Sequence, residues 1–176
     1  MTKNRYILVF ALAFFSCNQQ KESEANTDLL YFDTKGYFEK EASRLKEMNP
    51  LVQKSVFING STENKATKIS DWEKELSTFI DADINKTSWK GSFKVNKTAT
   101  ADNYTSDNRK IPVKRITVVK LNGKITRIEI IRENKNIIYH STDTLSYFPD
   151  SLYEIRKQQK IKLLNPKKYI IIGKLK

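Results

Sequence analysis

The one thiol of this chain, Cys17, closes an apolar run from Tyr6 to Phe15 that is followed by Ser16, with Lys3 and Arg5 ahead of it. A basic start, an apolar stretch of about ten residues, a small residue and then cysteine is the pattern of a bacterial lipoprotein signal. The chemistry requires a thiol, because the cysteine sulfur carries a diacylglyceryl group and the amine freed by cleavage takes a further chain. Each buried methylene contributes about 0.8 kcal/mol, so several acyl chains hold far more firmly than one. The run is too short for a transmembrane helix, which needs roughly 20 apolar residues. Phe14 stands where the usual motif carries leucine, and Ser16 meets the requirement for a small residue. The expected organisation is a lipoprotein signal peptide over 1–16, a flexible tether over 17–27 that begins at lipidated Cys17, and one folded domain over 28–176. The expected location of the domain is a bacterial envelope, with the periplasmic face and the cell surface both open.

Other reactive groupings are sparse. His140 is the one histidine, and with Cys17 committed a metal site of His or Cys type has nothing to build on. The chain contains no G-x-S-x-G elbow, P-loop, H-E-x-x-H pair or dinucleotide fingerprint. His140, Ser141 and Asp143 are close in sequence, but on a strand His140 points away from the other two, so they form no triad. Asp81-Ala-Asp-Ile-Asn85 has the first three oxygen positions of a calcium loop, yet Lys86 sits where that loop needs glycine and Ser92 where it needs glutamate. The expectation there is a helix end whose Asp and Asn bond nearby backbone. Glu129 and Glu133 share a strand face with basic neighbours, which suits cross-strand neutralisation rather than acid–base work. No catalytic residue, metal or cofactor is expected.

Composition bounds the partners. The 176-residue chain carries a net charge of +12, and loss of Lys3 and Arg5 with the signal leaves 12 − 2 = +10. Such a balance points first to nucleic acid, but export argues against it. Anionic lipid headgroups, acidic polysaccharide or an acidic partner protein fit better. With Cys17 lipidated no thiol remains for a disulfide, so packing and hydrogen bonds must hold the fold. The basic stretches Arg109–Lys135 and Arg156–Lys176 would make one positive face if their strands were adjacent.

These residues need elements to position them. Asp33 and Thr34 precede Tyr37, Phe38, Ala42, Leu45 and Met48, which fall on one side of a helical period, and Pro50 ends that helix. Val52–Ile58 reads as a strand, Asn59-Gly60 as a hairpin turn and Glu63–Ile69 as the return. Ser70-Asp-Trp-Glu73 reads as a capping box that opens a second helix with Trp72, Leu76, Phe79 and Ile80 on one face. Extended runs follow at Ser92–Thr98, Ile111–Leu121, Lys124–Glu133, Asn136–Tyr147 and Tyr169–Leu175, with Asn122-Gly123 as a tight turn and 99–110 as a loop. Asp150–Leu164 divides between helix and strand. The shared parity of Tyr153, Ile155, Ile161 and Leu163 favours a strand with a bulge near Gln158-Gln159. The expected fold class is α+β: a single curved antiparallel β-sheet, a meander, packed against two N-terminal helices.

The signal, the segments Asp28–Glu39, Asp71–Leu76, Asp83–Lys86 and Trp89–Gly91, and the tail from Pro149 to Lys174 together resemble a recurrent type of small Bacteroidota outer-membrane lipoprotein. The resemblance implies the localisation and one domain, and it supplies no functional residues. Lys21-Glu-Ser-Glu24 resembles the surface-display signal of such proteins. Asp143-Thr144-Leu145 and Asp150-Ser151-Leu152 each resemble the three-residue acceptor for O-glycosylation in those envelopes, which would place sugar on Thr144 and Ser151.

Three functions follow as expectations. The first is a lipid-anchored, non-catalytic binding or accessory module with a protein partner or an anionic lipid ligand. The second is a carrier of a lipid or other apolar ligand, its pocket lined by aromatics such as Trp72, Phe79, Trp89, Tyr139 and Tyr147. The third is an immunity protein against a delivered toxin.

Overall fold

A computed structural model describes residues 29–176. The signal, Cys17 and the tether lie outside the described residues. The first helix, α1 (Thr34–Met48), starts where the Asp33 carboxylate accepts the Gly36 N–H at 2.8 Å. Such a cap satisfies one of the donors that a helix start leaves unpaired. Phe38, Ala42 and Leu45 recur at helical spacing and are fully buried. Asn49 ends the helix in the left-handed region, with its N–H on the Leu45 carbonyl.

Strands β1 (Leu51–Ile58) and β2 (Ser61–Lys68) form the expected hairpin across Asn59-Gly60. The expected second helix is instead two single turns, α2 (Trp72–Glu75) and α3 (Ser77–Ile80). The helix tightens at Leu76, where the Phe79 N–H reaches the Leu76 carbonyl three residues back. The tightening keeps Trp72, Leu76, Phe79 and Ala82 all in the core. The capping box does not form either. Asp71, one residue later than expected, accepts the Lys74 N–H at 2.9 Å.

The remaining strands are β3 (Lys94–Lys97), β4 (Ala101–Thr105), β5 (Val113–Leu121), β6 (Lys124–Lys135), β7 (Tyr139–Phe148), β8 (Leu152–Ile161) and β9 (Lys167–Leu175). All nine belong to one antiparallel, unclosed sheet in the order β2-β1-β9-β8-β7-β6-β5-β4-β3. From β3 to β9 it is a meander. The N-terminal hairpin then docks on the last strand, with Val52 opposite Leu175 and Ile58 opposite Tyr169.

Two strand expectations need correction. Residues 99–110 contain β4, whose polar composition hides an alternation: Asp102, Tyr104 and Ser106 are buried. Its polar groups are satisfied laterally, Asp102 by Lys120 at 2.5 Å and Asn103 by the Thr117 hydroxyl at 2.9 Å. Asp150–Leu164 is strand rather than helix, but no bulge interrupts Gln158-Gln159, which pair in unbroken register with both β7 and β9. Leu163 does not continue the inward parity of Tyr153. It stands in the β8–β9 turn at φ 69° and is 97% exposed.

One parity of the strands supplies the core, including Tyr104, Ile116, Ile130 and Leu145 on neighbouring strands. Phe38 of α1 and Phe79 of α3 meet Tyr147 of β7 with ring centroids 5.2 and 6.1 Å apart. Gly173 of β9 lies opposite Tyr153, whose ring occupies the space that a Cβ would need.

Candidate functional site

Among the described residues, the strongest concentration of polar chemistry joins helices to sheet. Tyr147 and Tyr153 are partners across β7 and β8. The Tyr147 hydroxyl donates to Glu41 of α1 at 2.5 Å. Glu41 also takes both arms of Arg44, at 3.0 and 2.8 Å, and Arg44 reaches Asp150 at 2.7 Å. The Tyr153 hydroxyl donates to Glu75 of α2 at 2.5 Å, and Lys54 of β1 holds both oxygens of Glu75 at 2.7 and 2.9 Å. Burial first, and the carboxylate hydrogen bond second, push both phenols far above the ordinary value. Hydrogen bonding to Glu41 raises Arg44 above its ordinary value. Each carboxylate therefore has a fixed cation and a phenol that keeps its proton. This arrangement clamps elements together.

The other reactive residues are likewise committed. The Ser141 hydroxyl donates to Asp143 at 2.6 Å, both buried, while His140 faces the opposite side of β7 and meets Glu133 at 3.0 Å. Glu129 pairs with Arg115 across β5 and β6 at 3.3 Å. Asp83 accepts the Asn85 N–H at 2.9 Å, and Asn85 binds the Tyr31 N–H and the Phe32 carbonyl at 3.0 Å each. Those residues fasten the start of the domain. No trio of His, Cys, Asp or Glu is placed to hold a metal among the described residues.

Thr144 is half-buried in the middle of β7, facing away from the core, whereas Ser151 is exposed in the β7–β8 turn. Of the two acceptor-like tripeptides, only the one at Ser151 is presented on a turn. Trp72, Phe79 and Tyr147 are buried in the core, and Trp72 also borders the groove between α1 and α2. The groove of about 800 Å³ between α1 and α2 presents charges of both signs, among them Lys46, Glu47 and Glu73. The two basic stretches are not adjacent, because β7 separates β6 from β8.

A different grouping emerges at one end of the sheet. The hairpins β1–β2, β8–β9 and β6–β7 turn there side by side. The turns are tied together: the Lys162 N–H reaches the Ile138 carbonyl at 2.8 Å, and the Lys168 N–H reaches the Asn59 side chain at 3.0 Å. Four aliphatic side chains project from these turns, Ile137 at 92% exposure, Ile138 at 62%, Leu163 at 97% and Leu164 at 58%. Lys135, Lys160, Lys162, Lys167 and Lys168 surround them, all exposed and none in an ion pair among the described residues. Residues 134–139 and 158–168 contain no acid. A hollow of about 580 Å³ lies beside them, lined by Phe57, Ile170, Pro166 and Lys168 among others.

Leu163 is the most informative member. Its φ of 69° belongs to the left-handed region, where glycine or asparagine sits without the clash that a Cβ brings. For leucine the cost is roughly 1–2 kcal/mol, and the side chain recovers almost no burial within this chain. The sequence held a signal for this surface: Ile137-Ile138 and Leu163-Leu164 are aliphatic pairs set inside turns of Asn, Lys and Pro. Periodicity alone places such pairs within strands, at Asn136–Tyr147 and Asp150–Leu164.

The chain matches no protein-family model, no curated protein and no solved structure.

Proposed function

We propose that this protein is a lipid-anchored, non-catalytic binding module of a bacterial envelope, fixed to the outer membrane through Cys17. The tether over 17–27 carries the α+β domain. Its antiparallel sheet takes α1 and the α2–α3 segment on the face that carries Tyr147 and Tyr153.

One contrast supports this reading. The buried phenols Tyr147 and Tyr153 are consumed in helix-to-sheet clamps with Glu41 and Glu75. The most exposed aliphatic side chains, Ile137 and Leu163, gather with Ile138, Leu164 and their lysines at one end of the sheet. Inward chemistry stabilises the domain, and a mixed apolar and cationic surface faces outward. Exposed apolar groups collected in one place mark interaction sites. The lysines add attraction for an acidic counterpart.

The test is the intact mass of the full-length protein, purified in mild detergent from its native envelope and compared with Cys17→Ser. Processing before Cys17 with added acyl chains, lost in the variant together with membrane retention, is the expected result. An unprocessed chain, or an unchanged distribution of the variant, refutes the anchor.

A further inference from the structure

We infer that the hairpin end is a second membrane contact, one that inserts Ile137, Ile138, Leu163 and Leu164 between the headgroups of an anionic bilayer. The inference deepens the anchored reading and rests on it only for bringing a bilayer within reach.

Three observations converge on an anionic bilayer. The aliphatic groups stand on the tips of turns, as an interface that must be penetrated requires, and not on a flat strand face. The lysines form a collar around those tips, and no acid interrupts them in 134–139 or 158–168. Long lysine side chains lie along an apolar boundary while their ammonium groups reach the phosphate layer. A surface rich in anionic lipid attracts such clusters without needing a specific partner.

The second observation is the conformation of Leu163. An exposed leucine held at positive φ is disfavoured locally and gains nothing from its own chain. Strain of this kind, where it persists, points to a role outside the fold.

Rigidity is the third. The Lys162–Ile138 and Lys168–Asn59 bonds lock the three turns into one surface, so the tips can enter together with little ordering cost.

The experiment uses the full chain with Leu163→Cys, labelled with an environment-sensitive dye and reconstituted into two kinds of vesicle. One kind is phosphatidylcholine alone, and the other mixes it with phosphatidylglycerol. Leu121→Cys, at the β5–β6 turn of the opposite end, is the matched control, because Leu121 is also an exposed turn-flanking leucine. The expected result is a blue shift and quenching by brominated acyl chains at position 163 in the anionic vesicles, and neither effect at 121. Adding Lys160→Glu and Lys167→Glu should lower the inserted fraction at least about tenfold, since each lysine near an anionic surface counts for about a factor of five. Salt should act in the same direction.

Dye at 163 that stays in water in both vesicles, or equal signals at 163 and 121, overturns the inference. Exclusive protection of 163 by a protein cross-linked in the native envelope does so as well. Each variant is also made with Cys17→Ser, where the engineered thiol is the only one. Intact mass then judges the anchor, and the contrast between 163 and 121 judges the docking surface.

Discussion

Tyr147 and Tyr153 stand directly opposite each other on neighbouring strands, and their hydroxyls are bound by carboxylates from different helical segments, Glu41 of α1 and Glu75 of α2. One cross-strand pair therefore fixes two helical segments on the sheet. Each carboxylate is also neutralised, by Arg44 in one case and Lys54 in the other. A buried carboxylate with a cation and a phenol is tolerable, whereas one stripped of its partners is costly.

This pairing has a pH signature. Both phenols, and Tyr37 beside them, lie well above the ordinary value of 10.0, first through burial. The folded state keeps protons that the unfolded chain releases above about pH 10, so stability falls as pH rises past that point. Below it the contribution is fully present. Urea unfolding followed from about pH 8 to about pH 11 should show a plateau and then a decline of up to about 1.4 kcal/mol per pH unit for each tyrosine. Tyr147→Phe and Tyr153→Phe should each flatten the decline.

A double-mutant cycle on Tyr153→Phe and Glu75→Gln should return a coupling of at least about 1 kcal/mol, as expected for a hydrogen bond to a charged group. Glu75→Gln alone should cost more than Tyr153→Phe alone, because it leaves Lys54 half-buried without its counter-charge. Chemical denaturation of the four proteins checks both statements.

Gly173→Ala should destabilise the domain by about 2 kcal/mol or more, since the new Cβ must displace the Tyr153 ring from a full core. Pairing it with Tyr153→Ala should recover less than the sum of the two separate losses. Thermal unfolding of the three variants decides the matter.

Leu163→Asn should behave oppositely for stability and for binding. Relief of the left-handed strain should raise stability by up to about 1 kcal/mol, while retention on anionic vesicles falls. Denaturation and vesicle flotation of the same preparation measure the two effects. Loss of stability would place Leu163 among the packing residues.

Much of the fold was written locally. α1 carried its cap, its apolar spacing and its Pro50 stop, and both Asn-Gly turns announced their hairpins because each of their residues adopts positive φ. β4 was illegible because Asp102 and Asn103 look like loop residues until Lys120 and Thr117 satisfy them from the next strand. The docking of β1 on β9 depends on contacts between the two ends of the domain, which no local pattern encodes. The clamps were invisible for the same reason: Glu41 and Tyr147 are 106 residues apart. The hairpin-end surface needed the sheet order before two separate aliphatic pairs became neighbours.

The most direct measurement is photo-crosslinking from position 163 in the intact envelope, with the full-length chain carrying the photoreactive residue there or at 121. We expect abundant lipid adducts from 163 and few from 121, with the difference reduced by Lys160→Glu and Lys167→Glu. Equal yields from the two positions, or adducts from neither, would contradict a domain that meets its surroundings through this end.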